Sequence, residues 1–567
     1  MSKDEIKHLY TEAGEGLQGV PWNIYPRPQL KRDSFVCLNG IWKLSAEKVG
    51  LDGVDVTVPF APESLLSGVN KSMGKRAELR YERPFEITFD RTRNRVLLHF
   101  GAVDQVARVS VNGNLVGEHE GGYLPFTFDI TDFAEDGENK LTVYVTDDLG
   151  DRSYPYGKQR YDRGGMWYTP VSGIWQTVWL EVVPKEYVRS LHYETSADSV
   201  TVTAEGVTDG KITVFAPTGA IEATLKDGKA TVNIPSPRLW SPDDPYLYEL
   251  TLKTESDEVK SYFALRTLEI KNVDGISRLC LNGEPIFMHA LLDQGYFSDG
   301  IYTPATPELY ENDILTARSF GFNTLRKHIK IEPELFYYYC DKHGMLVMQD
   351  MVNNGSYSFI RDTALPTVFM KRFPDFWLNP SKKVRRTFVK HMEDTVKHLY
   401  NHPSIVYYTV FNEGWGQFCS AKMYEKIKRL DPTRFIDTTS GWFKTSKSDV
   451  ISEHVYFKPV KVKKPADKPI VISEFGGYSY KHPEHCANAV KTYGYSKYTD
   501  REEFENALVS LYEREIIPAI EKGLCVAVYT QLTDVEDETN GLVSYDRRYL
   551  KVTKDKMLEI AKKLTVK

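Results

Sequence analysis

The sequence predicts a multidomain protein in which two β-sandwiches precede a C-terminal (β/α)8 TIM barrel. Its 567 residues are too many for one hydrophobic core, because single domains usually hold about 100–200 residues. Up to about residue 268, short alternating runs are separated by turn residues; beyond it, apolar strands alternate with amphipathic helical patterns. We therefore expect domains at residues 1–185, 186–268 and 269–567.

The first two domains are predicted from strand-like runs without helical periodicity. Examples in the first domain are RVLLHF (95–100), ARVSVNG (107–113) and KLTVYVTD (140–147). Strands at this spacing, with turn residues between them, are typical of a β-sandwich. After Pro184, the runs SVTVTAEG, KITVFAP, KATVNIP and YLYELTLKT are enough for one small immunoglobulin-like sandwich.

The barrel is predicted from eight apolar runs in the last part of the chain, which is the strand number of the (β/α)8 fold. Helical patterns such as PELYENDILTARSFG and KVRRTFVKHMEDTVKHLYN lie between them. The Lys-rich segment 458–469 is interpreted as a solvated loop. The candidate strands are IFMHALLD (286–293), FNTLRKH (322–328), MLVMQDM (345–351), IVYYTVFNE (405–413), RFIDTTSG (434–441), DVISEHVYF (449–457), IVISEFG (470–476) and CVAVYTQLTD (525–534).

Composition and hydropathy argue against nucleic acid and membranes as partners. A net charge of −6 argues against nucleic acid or an anionic membrane as the main partner. We expect no membrane association, because no stretch approaches the length of a membrane span. Aromatic residues reach 13%, which suits stacking on sugar rings or bases and equally suits a large β-rich core.

The cysteines and the N-terminus predict a cytoplasmic protein. The segment MSKDEIKHLYTEAGEG has no apolar signal-peptide core, although a chain whose leader had been removed would look the same. Scattered cysteines without a CxxC motif favour free buried thiols in a reducing compartment over disulfides or a zinc site. The six are Cys37, Cys280, Cys340, Cys419, Cys486 and Cys525.

Polar side chains follow the apolar runs where the barrel strands would end. Because catalytic groups of such barrels sit at the carboxyl ends of the strands, we expect a shared site there. Aromatic residues nearby would form the walls of a sugar pocket, or would simply pack the barrel top. The polar candidates are Asp293, Arg326, His328, Asp350, Asn412, Glu413, His454, Tyr456 and Glu474, and the aromatic candidates are Trp415, Trp442 and Tyr529.

Two of these residues, Glu413 and Glu474, indicate glycoside hydrolysis. They follow the fourth and seventh candidate strands, in the settings Asn-Glu-Gly-Trp-Gly and Ser-Glu-Phe-Gly-Gly. One carboxyl group would give its proton to the leaving oxygen, and the other would stabilise or attack the anomeric carbon. A single glutamate after a strand is more often a salt-bridged rim residue, and Asp293 or Asp350 would serve equally as helix caps or hydrogen-bond centres.

Segments along nearly the whole chain resemble glycoside hydrolase family 2, which holds β-galactosidases, β-glucuronidases and β-mannosidases. YPRPQL, LNGIWKL, the segment 101–131 and SGIWQTVWLE are similar to its N-terminal sugar-binding jelly roll. LWSPDDPYLYEL resembles the end of its immunoglobulin-like domain. FNTLRKHIKIEPELFYYYCDKHGMLV, HPSIVYYTVFNEG and PIVISEFG resemble its barrel signature and its two catalytic strands.

The resemblance implies a retaining exo-β-glycosidase. Glu413 would be the acid/base and Glu474 the nucleophile, while Asn412 would hold the sugar 2-OH. Tyr456 would hydrogen-bond Glu474, and Arg326 would keep that carboxylate ionised through its charge. The expected substrate is a β-galactoside, with β-glucuronide, β-galacturonide, β-glucoside and β-mannoside as alternatives.

The sequence also departs from the family pattern. Ile329 stands where the signature has histidine, and Tyr529 where many members have tryptophan. The third strand ends MQDM, which is closer to the β-mannosidase-like form than to the acidic metal-binding run of large β-galactosidases, so we expect no magnesium site. We also expect no cofactor. Asn540-Gly541-Leu542 lacks the lysine by which β-glucuronidases recognise the uronate.

A basic subsite is a separate expectation. If FNTLRKHIK is a single strand, Arg326, His328 and Lys330 share one face, because side chains alternate with a period of two.

Two other function classes remain open at this point. One is a carbohydrate-binding protein on an inactive enzyme scaffold, which the presence of both acids and Asn412 disfavours. The other is a transglycosylase, which shares the covalent intermediate but passes the sugar to another acceptor. The sequence is compatible with a homo-oligomer and does not fix the oligomeric state.

Overall fold

The computed structural model describes residues 6–364, 375–376, 378–379, 381–441, 443, 447–462 and 467–566. The predicted fold class is confirmed: two β-sandwiches are followed by an eight-stranded parallel barrel. Within the described part of the chain, no helix is long and apolar enough to cross a membrane.

The N-terminal sandwich is built from two antiparallel sheets. Alternating burial along its strands, as in the pattern of Gly40–Ala46, places every second side chain in the core. In sheet order, one sheet contains Phe35–Cys37, Val178–Pro184, Asn94–Phe100 and Phe126–Asp129, and the other Leu51–Val58, Gly40–Ala46, Ala77–Ile87, Gly137–Asp147, Val106–Val111 and Asn114–Glu120. A short ladder joins Val103–Asp104 to Gly173–Ile174.

The second sandwich is smaller and also antiparallel. One sheet pairs Ser190–Thr195, Ser199–Glu205 and Lys229–Asn233, and the other pairs Gly219–Leu225, Gly210–Ala216, Tyr248–Lys253 and Glu258–Phe263. A three-stranded sheet of Leu268–Val273, Ile276–Leu281 and Glu284–Pro285 then leads into the barrel.

All eight predicted barrel strands form. They are β1 (Met288–Asp293), β2 (Thr324–Lys327), β3 (Leu346–Asp350), β4 (Ile405–Asn412), β5 (Phe435–Ser440), β6 (Ile451–Val455), β7 (Ile470–Gly476) and β8 (Leu524–Thr530). Their order in the sheet is β5-β4-β3-β2-β1-β8-β7-β6, and every pairing is parallel. Every residue of β4 is buried, which explains its near-continuous apolar run, since parallel strands are covered on both faces.

Helices cover the outside of the barrel, and both quoted helical patterns are confirmed. The α-helices are Glu12–Glu15, Glu308–Ser319, Glu334–His343, Lys382–Leu399, Ser420–Leu430, Arg501–Leu511, Ile517–Ile520 and Lys554–Lys563; π-helical turns lie at Phe359–Ala364 and Tyr512–Ile516, and a 3-10 turn at Glu47–Val49. The two parallel strands Ser479–Tyr480 and Lys497–Tyr498 lie in the segment after β7.

The cysteines are free, as predicted from their spacing. Four of them are buried, whereas Cys37 and Cys419 are only partly buried.

The N-terminal sandwich also reaches the barrel mouth. Between its last long strands, residues 148–172 form a loop that contacts the segments after β3 and β8. The backbone N–H of Tyr156 donates to Asn353 O at 3.1 Å, and its hydroxyl donates to Gly355 O at 2.7 Å. The N–H of Thr169 donates to Oε1 of Glu536 at 2.8 Å. The rim of the barrel is therefore built from two domains.

Candidate active site

The carboxyl ends of the barrel strands bring most of the predicted polar residues together. Arg326 lies on β2 and Asp350 ends β3; Asn412 ends β4 and Glu474 lies on β7. Because these strands run parallel around a closed barrel, their ends meet at one mouth. His328, Glu413, His454 and Tyr456 join the same group of contacts.

Glu474 is held ionised by the groups around it. Its Oε1 accepts from Nη1 of Arg326 at 3.0 Å, and its Oε2 accepts from the Tyr456 hydroxyl at 2.6 Å. Burial alone would raise the pKa of Glu474, but the charges of His454 and Arg326, helped by the Tyr456 hydrogen bond, lower it to about 2. The carboxylate is charged at neutral pH.

The fully buried Arg326 connects three strands. Besides Glu474, its Nε donates to Oδ1 of Asp350 at 3.0 Å, and its Nη2 donates to Oδ1 of Asn412 at 2.8 Å. The other Asp350 oxygen lies 2.7 Å from Nδ1 of His328. This hydrogen bond to its carbonyl oxygen fixes the orientation of the Asn412 amide, whose nitrogen is the donor end of the group.

Glu413 follows β4 in a left-handed backbone conformation. Its φ is +52°, and its backbone N–H donates to Ser440 O at 2.9 Å, which fastens the turn to β5. Gly414 also has a positive φ of +74°, and a Cβ there would lie 2.3 Å from the Phe443 ring. Gly416 has a φ of +68°, and a Cβ there would lie 2.5 Å from Asn354 O. Both positions require glycine.

The turn places Trp415 in an aromatic cluster rather than in open solvent. Its indole packs against Trp167 at 5.1 Å and Tyr156 at 5.3 Å, both from the sandwich loop. Tyr357 lies 6.1 Å away. The position of the Trp415 indole therefore depends on packing against the loop of the N-terminal sandwich.

His454 stands between the two glutamates. Its Nδ1 lies 2.8 Å from Oε1 of Glu413 and 3.4 Å from Oε2 of Glu474. One ligand-type atom of each residue lies within 4.8 Å of the other two, a spacing that would suit a metal ion. The same atoms equally suit proton transfer, because an imidazole nitrogen lies in contact with two carboxyl groups at the barrel mouth. We attribute the group to proton chemistry.

Two predicted site residues, Tyr529 and Asp293, lie away from this group, and a third is not among the described residues. Tyr529 packs on Phe475, with ring centroids 5.6 Å apart, in the apolar cluster around the barrel. The next residue, Thr530, faces the site instead, with its hydroxyl 2.8 Å from that of Tyr456. Trp442 lies outside the described residues.

Asp293 belongs to a separate buried ion-pair cluster. Its Oδ2 lies 2.5 Å from Nζ of Lys327, which also contacts Glu332 at 2.9 Å. Lys330 joins the same cluster, 2.9 Å from Glu332. The expectation that Lys330 shares a face with Arg326 and His328 is therefore wrong. The reason is that β2 ends at Lys327 and Ile329 has a φ of +54°, which interrupts the alternation.

Several residues at the site were not singled out from the sequence. Ser440 lies at the end of β5, so its position at the barrel mouth could be predicted from the sequence. Its contact with His454 could not. Tyr495 stacks on Tyr456, with ring centroids 4.0 Å apart, and comes from the long segment after β7. The Arg160 guanidinium lies 3.7 Å from the centroid of the Trp167 ring, both in the sandwich loop. No local pattern signals contacts between such distant segments.

Three sequence models of one family match successive parts of the chain. The sugar binding domain of glycosyl hydrolases family 2 matches residues 66–184, a second model of that family matches residues 183–266, and its TIM barrel domain matches residues 279–538.

Similar whole proteins include bacterial enzymes. A β-galactosidase of Thermoanaerobacter pseudethanolicus is 25% identical over 78% of this chain and 59% of its own length. A β-galactosidase of Leuconostoc mesenteroides is 28% identical over 64% of this chain and 35% of its own length. The chain thus spans less than two thirds of the length of each of these relatives. A solved β-glucuronidase of an uncultured Clostridium species has the same fold, with a TM-score of 0.73 at 18% identity, covering 94% of this chain and 99% of its own.

Proposed function

Because the chain belongs to glycosyl hydrolase family 2, we propose that it is a retaining exo-β-glycosidase that removes a terminal β-linked sugar. The observation that carries the proposal is the convergence of Glu413 and Glu474, which have carboxylate oxygens within 4.8 Å of each other. Carboxyl groups about 5–5.5 Å apart suit a covalent intermediate, whereas about 6.5–9.5 Å leaves room for water and gives inversion.

The reaction has two steps. In the first, a carboxylate oxygen of Glu474 attacks the anomeric carbon while Glu413 gives its proton to the glycosidic oxygen. The bond from the anomeric carbon to the leaving oxygen breaks, and a glycosyl ester forms. In the second step, Glu413 takes a proton from water, which attacks the same carbon and frees Glu474. Two inversions at one carbon give overall retention.

The surrounding residues support these roles. A pKa of about 2 keeps Glu474 an anion that is able to attack at neutral pH. Arg326 contacts both residues at once, because its Nη1 donates to Glu474 and its Nη2 donates to Asn412. The Asn412 amide would donate to the sugar 2-OH, an interaction that strengthens as positive charge develops on the ring.

The proposed substrate is a β-galactoside, the activity named for the two β-galactosidases that this chain resembles in sequence. A β-glucuronide or β-galacturonide is the second candidate, favoured by two cations of the sandwich loop. Nζ of Lys158 and the Arg160 guanidinium lie 5.6 Å and 3.7 Å from the Trp167 ring. Lys158 also helps burial to lower the pKa of His328 in the site, so a substrate carboxylate would meet positive charge there.

A non-catalytic carbohydrate-binding role and a transglycosylase are the competing functions. The first would not need a depressed pKa at Glu474 or two converging acids. The second differs only in the acceptor, so it would show a sugar acceptor competing with water in the second step.

The test is a panel of aryl β-glycosides of galactose, glucose, mannose, glucuronate and galacturonate, run on the wild type, Glu474→Ala and Glu413→Ala. We expect turnover of the galactoside, its loss in Glu474→Ala, and the smallest loss in Glu413→Ala with leaving groups that need no proton. Added azide should give the α-glycosyl azide with Glu474→Ala and the β-glycosyl azide with Glu413→Ala. Normal turnover by Glu474→Ala would refute the assignment.

A further inference from the structure

His454 touches both proposed catalytic carboxylates with a single nitrogen. Its side chain is fully buried, and Nδ1 lies 2.8 Å from Oε1 of Glu413 and 3.4 Å from Oε2 of Glu474. The mechanism above assigns it no role. An imidazole nitrogen that faces two acids must either give or take a proton there, so its protonation state bears on both steps.

The other ring nitrogen fixes part of that state. Nε2 lies 3.0 Å from the Ser440 hydroxyl, and Ser440 donates its own hydroxyl proton to Oγ of Ser473 at 2.8 Å. A serine hydroxyl has one proton to donate. Ser440 therefore accepts from His454, and Nε2 carries a hydrogen.

The first nitrogen faces oxygens that accept. Both oxygens of Glu474 accept hydrogen bonds, from Arg326 and Tyr456, and a carboxylate offers only lone pairs, so Nδ1 makes a favourable contact there only if it also carries a hydrogen. With a hydrogen on both nitrogens, the contacts of the ring are those of an imidazolium. Among the described residues, the titratable groups around it include Glu413 after β4, Asp437 on β5, Glu474 on β7 and, beyond Glu474, Arg326 and His328 on the β2 side.

We propose that His454 is a positively charged positioning residue whose Nδ1–H follows the negative charge as it moves between Glu474 and Glu413. This inference rests on the proposed retaining mechanism. In the first step Glu474 becomes a neutral ester while Glu413 loses its proton to the leaving oxygen. The negative charge thus moves from one contact of Nδ1 to the other. The reverse happens in the second step, and His454 neither gains nor loses a proton over the cycle.

The geometry divides the two oxygens of Glu413 between two tasks. Oε1 is the oxygen that His454 contacts, so the proton that reaches the leaving group would be carried by Oε2. As Oε2 gives up that proton, the Nδ1–H···Oε1 contact becomes a charge-assisted hydrogen bond, which is roughly twice as strong as a neutral one. The gain arises in the transition state, where it lowers the barrier.

The ring has little freedom to avoid this arrangement. It packs against Gly441, where a Cβ would lie 3.0 Å from Cγ and Nδ1 of His454. The backbone at Gly441 therefore limits the movement of the ring on the side of β5.

The experiment compares His454→Ala and His454→Asn with wild type on aryl glycosides whose leaving groups range from phenol to dinitrophenol. We expect His454→Ala to reduce kcat/KM by about 10²-fold with phenol, the usual effect of one lost transition-state donor, and only a few-fold with dinitrophenol. His454→Asn, which keeps an N–H but no charge, should fall between. The same loss with every leaving group would indicate a merely structural role and overturn the inference.

The pH profile distinguishes an imidazolium from a neutral ring. His454→Asn removes the proposed positive charge at the carboxyl pair, so the alkaline limb of kcat/KM should move to higher pH. An unchanged limb, or one that moves down, would contradict the charged state. The matched control is His402→Asn, because Nδ1 of His402 lies 2.7 Å from Asp341 in another buried pair, just before β4 begins; it should shift neither readout. Failure of Glu474→Ala to lose activity would instead refute the proposed function itself.

Discussion

The Tyr456 hydroxyl donates a 2.6 Å hydrogen bond to Oε2 of Glu474, and it also lies 2.8 Å from the Thr530 hydroxyl. The ring is fixed from its other side by the stack on Tyr495. Arg326 holds the opposite carboxylate oxygen. Glu474, the proposed nucleophile, is thus held between a neutral donor that follows β6 and a cation on β2, so its orientation does not depend on the substrate.

Removing the neutral donor should slow the enzyme and alter its acidic limb. Tyr456→Phe deletes a hydrogen bond that lowers the pKa of Glu474, so the acidic limb of kcat/KM should move to higher pH. We expect activity to fall by about 10- to 100-fold, since one oriented donor is lost. The control is Tyr193→Phe, which removes a 2.6 Å hydrogen bond to Ser261 within the second sandwich. An acidic limb that stays in place would contradict this account.

Removing the cation should affect both stability and activity. Arg326→Met leaves the buried carboxylates of Asp350 and Glu474 without their charge partner, and the loss of one partner from a buried ion pair typically costs about 3–5 kcal/mol. Urea denaturation measures that loss. Arg326→Lys keeps the charge but cannot reach Asp350, Glu474 and Asn412 at once, so it should recover stability more than kcat. Full activity in Arg326→Lys would show that the three-way contact is not needed.

The sequence could predict what depends on strand period and strand end. Arg326 and His328 were expected on one face, and both do contact Asp350. The expectation failed at Lys330, because alternation holds only while the backbone stays extended and β2 ends three residues earlier. At Tyr529 the alternation does hold, but the wrong face was predicted. Tyr529 lies within β8 and packs away from the site, and its neighbour Thr530 is the residue that faces the site.

Contacts between distant segments could not be predicted in the same way. The pairing of His454 with Glu413 joins residues that are far apart in the chain, one on β6 and the other directly after β4. The support of Trp415 by Trp167 comes from another domain. Such contacts depend on packing geometry, for which a single sequence carries no local signal.

Substituting Gly441 should disturb His454 without unfolding the barrel. Gly441 has a φ of +93°, and a Cβ there would press on the imidazole ring at 3.0 Å. Gly441→Ala should therefore reduce kcat/KM. Gly113→Ala is the matched control, because Gly113 has a φ of +81° with no atom within 4 Å of an added Cβ. It carries the backbone strain of about 1 kcal/mol without the clash, so equal loss of activity in both variants would contradict a specific effect on His454.

The buried carboxylate of Glu181 should make the stability of the N-terminal sandwich depend on pH. Its carboxylate contacts Arg27 at 2.6 Å and Arg32 at 3.3 Å; burial alone would raise the pKa, but the charges of Arg27, His99 and Arg32 lower it from 4.5 to about 2. Because the pKa of the folded state is depressed, the stabilisation of about 3 kcal/mol is present above pH 4.5 and is lost as the pH falls towards 2.

Glu181→Gln tests this dependence through urea denaturation at a series of pH values. The variant should be less stable than wild type at pH 7, because the two arginines lose a buried carboxylate, and the difference should shrink between about pH 4.5 and 2. The control is Glu118→Gln, which removes an exposed pair with Arg108 at 2.7 Å and should change the free energy of unfolding by less than about 1 kcal/mol at every pH. A constant difference between wild type and Glu181→Gln across the series would show that Glu181 is not the acid-sensitive group.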